Sequence, residues 1–438
     1  MFKNLFFNIG AKVIVIIFQF TALILTNHII GPEGRGIYLA VITWCVLLYN
    51  FSNLSLSTGI LNLANKNIRL INNLAYTSTL AAFFLGFGTM LGGLLLYRFT
   101  PGLFANIRFP YLLTSLATIP FMMLQQYSMS VVQVKGNFRQ FNFMYASYAV
   151  FNLSGVIIIW VIYKISLETL ICINFFAWLF AGIIAFYYLW PFIKKRSRNF
   201  SIIKKLMATS TVAHFGPIVS VILTRSDILI VNYFTNEKQT GIYGLAVGIA
   251  QILLIIPLGI QNLLYHSLMG KTKDAQKGIL LQYSRITFAA MVICSISLML
   301  LSRPLVYIVG GENFIEAIPL FKYFLPGIIF YAMPMVLGTQ WNIIGIFRQV
   351  NISLFFVLII AITSNILLVP LIGITGGAVT FLFTSIINFC IHVWFIKRNM
   401  GSTPLKDVII LKQQDVPFLF KRKLNYNKDV QESKIKNV

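Results

Sequence analysis

Twelve apolar stretches of about 18 to 25 residues follow one another through most of the chain, each long enough for a helix to cross the roughly 30 Å of a bilayer's hydrocarbon. They fall at residues 9–30, 37–60, 74–97, 111–134, 142–163, 168–192, 206–233, 241–265, 279–301, 317–344, 351–371 and 375–396. Lipid offers no partner to a backbone N–H or C=O, so a segment in it must satisfy its own hydrogen bonds, and a helix does this within one segment. With 58% hydrophobic residues, 11% charged residues and a mean hydropathy of +0.81, the chain lies outside the globular range. The expected fold is all-α and integral to the membrane.

Two short patterns each occur twice. Gly136-Asn137-Phe138-Arg139-Gln140-Phe141-Asn142 returns 209 residues later as Gly345-Ile346-Phe347-Arg348-Gln349-Val350-Asn351, and Gly36-Ile37-Tyr38 returns 205 residues later as Gly241-Ile242-Tyr243. Two markers in one order at nearly one offset indicate an internal duplication, a hallmark of secondary transporters. Each repeat then holds six helices in the same orientation. Residues 1–200 form an N-terminal bundle, 201–398 a C-terminal bundle, and 399–438 a basic cytoplasmic tail read as a solvated extension.

The first stretch is too long for a cleaved signal peptide, carries Gln19, Thr21, Asn27 and His28, and has no small-residue cleavage site after it. The four cysteines, Cys45, Cys172, Cys294 and Cys390, sit inside apolar stretches without paired spacing. They are expected to be buried packing residues, with no disulfide framework, metal site or cofactor.

Most of the 35 lysines and arginines fall on alternate connections. One side collects Lys3, Lys66, Arg69, the run Lys194-Lys195-Arg196, Lys271, Lys273 and the tail; the other has little beyond Arg35, Arg98, Arg108, Lys238 and Arg303. The positive-inside rule therefore makes both termini cytoplasmic in a multi-pass protein of the inner membrane. The net charge of +24 does not indicate nucleic acid, because no aromatic platform or soluble domain presents it; anionic membrane lipids are the expected partner.

Charge at membrane depth costs about 2.5 to 3.5 kcal/mol per residue even on lenient scales and needs a reason. The stretch 206–233 carries His214, Pro217, Arg225 and Asp227 together. On one continuous helix His214 and Arg225 would share a face, about 20° and roughly 16 Å apart, whereas Arg225 and Asp227 would diverge by about 200°. Arg225 is read as lining a substrate path or forming an interhelical pair, His214 as a packing or a functional histidine. Asp227 is read as binding a coupling proton or cation, or as compensating a basic partner. Lys12 either snorkels to headgroups or faces a cavity. Arg139 and Arg348 either stay with lipid phosphates or receive an anionic substrate. Gln125, Gln126, Gln340 and similar residues either line a hydrated path or bridge helices. Tyr187, Trp190 and Trp394 are read as interfacial belt residues.

Four ordered segments resemble the bacterial polysaccharide flippases, exporters of O-antigen and capsule repeat units in the multidrug/oligosaccharidyl-lipid/polysaccharide superfamily. They are Ile30-Gly31-Pro32-Glu33-Gly34-Arg35-Gly36-Ile37-Tyr38, read as a tight turn between the first two helices; Arg225-Ser226-Asp227 through Tyr233-Phe234 to Thr240-Gly241-Ile242-Tyr243; Glu312-Asn313-Phe314 through Pro319 to Leu325-Pro326-Gly327; and Val369-Pro370-Leu371-Ile372-Gly373-Ile374-Thr375-Gly376-Gly377-Ala378. The resemblance spans residues 8 to 398. It implies two six-helix bundles set as a V around a central cavity, moving a polyprenyl-diphosphate-linked oligosaccharide to the outer leaflet for O-antigen, lipopolysaccharide or capsule assembly, with a polysaccharide polymerase as partner.

Two other classes compete. A multidrug cation antiporter of the same superfamily would need acidic groups in its cavity, and apart from Glu168, the first residue of its stretch, Asp227 is the only acid within the predicted spans. A polytopic glycan polymerase would need positioned carboxylates in a large outer loop, but the longest outer connections, 98–110 and 302–316, are short. Topology is directly testable: a cysteine replacing Glu237 should label from outside intact cells and one replacing Ser197 should not; the reverse pattern overturns the orientation.

Overall fold

The computed structural model describes residues 2–415 except 106, 163–165, 196–200 and 346, and among these it is helical without a strand. The first half comprises α1 (Phe2–Ser52), α2 (Leu56–Lys66), α3 (Ile71–Phe99), α4 (Phe109–Leu116), α5 (Ile119–Val134), α6 (Phe138–Ile162) and α7 (Leu167–Lys194). The second half comprises α8 (Ser201–Val212), α9 (Phe215–Phe234), α10 (Glu237–Gln251), α11 (Ile255–Leu268), α12 (Lys273–Leu300), α13 (Ser302–Gly310), α14 (Ala317–Ile344), α15 (Phe347–Ile372) and α16 (Ile374–Met400), followed by the short α17 (Leu405–Ile409). Ten helical stretches are long and apolar enough to cross a membrane. The first of them, bent at Gly31, holds two crossings, and the α4–α5 pair adds one more, which gives the twelve expected.

Three breaks share a cause. Proline lacks the N–H that would bond the carbonyl four residues back, and its ring crowds that carbonyl. Pro120 lies four residues after Leu116, where α4 ends; Pro217 lies four after Ala213, between α8 and α9; Pro257 lies four after Leu253, in the 3₁₀ turn between α10 and α11. The expected turn between the first two helices falls at Gly31, the non-helical residue where two helices meet within α1: it takes φ 65°, ψ −174°, while Gly34 stays helical. The positive angle falls before the proline because Pro32 disfavours the α region for its predecessor, and glycine alone adopts this alternative without strain. Gly136 and Gly345, the equivalent glycines of the longer repeat, have φ 69° and 81°, so both copies end a helix in the same left-handed conformation.

The described residues cluster into two compact units. One contains Met1–Val247, Arg303–Leu320 and Leu354–Gly377, and its core includes Leu74, Leu112, Leu116 and Tyr127, all with no exposed surface. The other contains Gly248–Ser302, Phe321–Ser353 and, of the described residues, 378–415, with a core around Leu264, Leu280, Trp341 and Phe389. Outward-facing side chains are large and apolar, such as Phe84 and Leu300, 77% and 79% exposed, a surface suited to lipid. Cysteines follow this division rather than the expected burial. Cys45 is buried, Cys294 is intermediate, and Cys172 and Cys390 are exposed, because an apolar helix in lipid need not turn every apolar residue inward. Tyr187, Trp190 and Trp394 are exposed.

The tail begins as a folded strap, not as a solvated extension. Val408 is fully buried, and Ser284 Oγ on α12 donates to its carbonyl at 2.9 Å. Arg285 donates through Nε and Nη2 to the two carboxylate oxygens of Asp415 at 2.6 and 2.7 Å, and through Nη1 to the Asp407 carbonyl at 3.0 Å. Arg285 and Asp415 are 3% and 0% exposed, so neither can leave without stranding the other. Residues 416–438 of the predicted tail, and 196–200 of the predicted inter-repeat linker, lie outside the described residues.

Asp415→Ala should lower stability by about 3 to 5 kcal/mol, the cost of stranding a buried charge, whereas Lys412→Ala, which breaks a surface ion pair with Asp407, should leave stability nearly unchanged. Thermal unfolding in detergent checks both. Burial alone would raise the Asp415 carboxyl, but its Arg285 hydrogen bonds outweigh this and hold it below the ordinary range. Its contribution is thus fully present above the unfolded value of about 3.9 and is lost as pH falls through the lower folded value. Proteolysis of the strap should therefore be unchanged between pH 7 and 5 and should accelerate only below about pH 4.

Candidate functional site

One set of polar groups lies on α1, α7, α9 and α10, at residues of the first unit. On α9, Asp227 does not pair with Arg225. Its Oδ2 accepts a hydrogen bond from the Tyr243 hydroxyl on α10 at 2.7 Å, and its Oδ1 accepts from the Ile228 backbone N–H at 2.8 Å. Tyr243 is fully buried, and Gly377 on α16 leaves room for its ring: a Cβ there would lie 2.6 Å from Tyr243 Cε2. Arg225 is half-buried and makes no hydrogen bond or salt bridge among the described residues. Two residues apart on one helix, Arg225 and Asp227 leave from different faces, which is why the acid turns to α10.

The equivalent tyrosine of the first repeat is also in a polar network. Asn174 on α7 donates its amide to the hydroxyls of Tyr38 at 3.3 Å and Tyr148 at 2.9 Å, and Tyr148 stacks on Trp178 with ring centroids 4.2 Å apart. The Arg35 guanidinium lies 5.7 Å from the Tyr38 ring centroid, within cation–π range. Its Nε is buried without a hydrogen-bond partner among the described residues. Arg35 was assigned to an outer connection in the sequence; the structure places it in the helix that resumes at Pro32. The available signal was Gly31-Pro32 itself, since proline suits the first turn of a helix.

His214 is not on a face shared with Arg225, because the break before Pro217 separates α8 from α9 and leaves His214 between them. It is 6% exposed, with Nδ1 3.0 Å from Ser55 Oγ and Nε2 3.1 Å from the Phe51 carbonyl, both ring nitrogens engaged at the α1–α2 bend. Lys12, Arg139 and Arg348 are exposed, and no hydrogen bond or ion pair among the described residues joins them to the Asp227–Tyr243 pair. Three amides bridge helices: Gln125 donates to the Met144 carbonyl at 2.6 Å, Gln126 accepts from the Tyr49 hydroxyl, and Gln340 donates to Gln276 at 2.8 Å. Among the described residues no group of histidines, cysteines and acids could hold a metal ion.

No protein-family model and no curated protein sequence matches the chain. Solved structures do. The lipid II flippase MurJ in an inward closed conformation has a TM-score of 0.75 at 15% identity, over 95% of this chain and 92% of that one. An inward-facing multidrug resistance transporter of the MATE family has a TM-score of 0.74 at 12% identity, over 88% of this chain and 94% of that one. A transporter of the same MOP superfamily from Pyrococcus furiosus has a TM-score of 0.56 at 12% identity, over 90% and 93%. The chain therefore has the fold of the multidrug/oligosaccharidyl-lipid/polysaccharide superfamily transporters.

Proposed function

We propose that the protein is a flippase that carries a polyprenyl-diphosphate-linked oligosaccharide across the cytoplasmic membrane for surface polysaccharide assembly, with both termini cytoplasmic. One observation carries the reading. Two arginines on the spanning helices, Arg35 and Arg225, form no ion pair with a carboxylate among the described residues, while Asp227, two residues after Arg225, is held by a tyrosine hydroxyl. Guanidinium groups without a carboxylate ion pair suit a diphosphate, whose oxygens accept their planar donors in pairs. Lys12, Arg139 and Arg348, exposed on their helices, would attract the anionic headgroup as it approaches. Amide and hydroxyl groups would replace water around the sugars, and the polyprenyl chain would remain in lipid.

The alternative is a multidrug cation antiporter; the MATE neighbour's name states multidrug resistance for that protein. The observation favouring it is Asp227, a carboxylate at membrane depth with one side-chain donor. In the flippase reading the same group serves as the coupling site for a proton or cation entering opposite to the cargo.

Arg225→Ala should reduce glycan export about tenfold or more, the equivalent of roughly 1.5 to 3 kcal/mol for a hydrogen bond to a charged group, and Arg225→Lys should reduce it less. Export is measured alongside membrane abundance; normal abundance with export at the original rate removes Arg225 from the substrate path. Asp227→Asn should make transport insensitive to the ion gradient while keeping an oxygen for Tyr243 to donate to. Tyr243→Phe should instead lower thermal stability, by about 1 to 3 kcal/mol for a lost buried partner. Full gradient dependence in the Asn variant rules out coupling at Asp227.

A further inference from the structure

Gly36 and Gly241, the first residues of the two Gly-Ile-Tyr repeats, are in contact with each other's helices. A Cβ at Gly36 would lie 1.8 Å from the Glu237 carbonyl oxygen and 3.0 Å from the Gly241 nitrogen; a Cβ at Gly241 would lie 1.9 Å from the Pro32 carbonyl oxygen and 3.0 Å from the Gly36 nitrogen. Pro32 precedes Gly36 by four residues and Glu237 precedes Gly241 by four. The contact is thus reciprocal, each glycine Cα resting on the carbonyl one turn back in the other repeat, as in close helix crossings between small residues. One turn on, Leu39 fills the space at Gly244, where a Cβ would lie 2.0 Å from Leu39 Cδ2.

Further links surround this junction. Asn27 Nδ2 donates to the Val309 carbonyl at 3.2 Å, His28 Nε2 lies 3.0 Å from the Ile308 carbonyl, and Lys238 pairs with Glu316 at 2.7 Å. A polar cavity of about 470 Å³, lined in part by Pro32, Glu33, Lys238 and Glu316, opens beside it. All these residues sit on the end of the helices poor in lysine and arginine, which the positive-inside rule assigns to the outside. The links are exposed or are single hydrogen bonds, and the junction itself is backbone against backbone, with Leu39 seated over Gly244 one turn on.

We infer that this reciprocal glycine junction is the outer gate of the transport path, closed in the present structure and parted to release cargo; the inference rests on the transport reading above. Glycine is required at both positions because a single methyl would prevent closure.

The test uses a cysteine-free background. With Leu39→Cys and Gly244→Cys, the Cβ at 244 would lie 3.5 Å from the position of Leu39 Cγ, close enough for a disulfide. Mild oxidation should cross-link the pair and drop transport to background, and reduction should restore it. Separately, Gly36→Ala should raise labelling of Leu39→Cys by a membrane-impermeant maleimide from outside. Gly248→Ala, where a Cβ meets nothing within 4 Å, should not. A cross-linked protein that still transports, or labelling unchanged by Gly36→Ala in a folded protein, overturns the gate; if that variant does not fold, the cross-link decides. A reduced protein that moves no cargo refutes the transport reading alone, and labelling then decides the gate.

Discussion

Every main-chain polar group that enters the hydrocarbon must find a partner in the chain itself, and the rest of this structure depends on that constraint. It produces long helices and restricts where they can be interrupted. The interruptions before Pro120, Pro217 and Pro257 occur where a proline denies a carbonyl its N–H, and the bend at Gly31 occurs where the next residue is proline. Part of the polar chemistry then lies in groups that satisfy one another between helices. Asp227 with Tyr243, and Asn174 with Tyr38 and Tyr148, are such groups. His214 occupies one of the interruptions and is consumed by it, with both ring nitrogens engaged.

The duplication gives these pairs a common origin in the chain and different chemistry. In both repeats a glycine two residues before the tyrosine makes a close helix crossing, and the tyrosine hydroxyl enters a polar network. In the first repeat the partner is an amide with Arg35 beside the ring; in the second it is a carboxylate with Arg225 two residues before it. Both halves carry an acid two residues from the arginine, Glu33 by Arg35 and Asp227 by Arg225, but only Asp227 is held by the repeat's tyrosine hydroxyl. That difference sets the proposed coupling site in one member of the duplicated framework, apart from the arginines proposed for the cargo.

Helix number, membrane insertion and the repeat were legible in the sequence because they follow from apolar segment length and from glycine-anchored motifs: Gly136 and Gly345 share one backbone conformation. The interior of the predicted spans was less legible. The helical wheel that placed His214 beside Arg225 assumed continuity across Pro217, and the structure breaks there. Arg35 was hidden by a motif that reads as a turn throughout, whereas the break is confined to Gly31 and a helix resumes at once. The partnership of Asp227 with Tyr243 joins two helices, and the folded strap depends on Arg285 finding Asp415 130 residues away. No local pattern encodes such pairings, because periodicity records which face is apolar and not which neighbour a polar group meets.

The central claim is that positive charge at membrane depth serves an anionic, lipid-linked cargo. The most direct measurement is reconstitution of the purified protein in vesicles holding a polyprenyl-diphosphate-linked oligosaccharide, with the fraction of glycan open to an added, membrane-impermeant glycosidase followed in time. The account predicts that the protected inner-leaflet half becomes digestible in vesicles containing the protein and stays protected in empty ones. Persistent protection of that half, together with uptake of a fluorescent organic cation by the same vesicles, would contradict it.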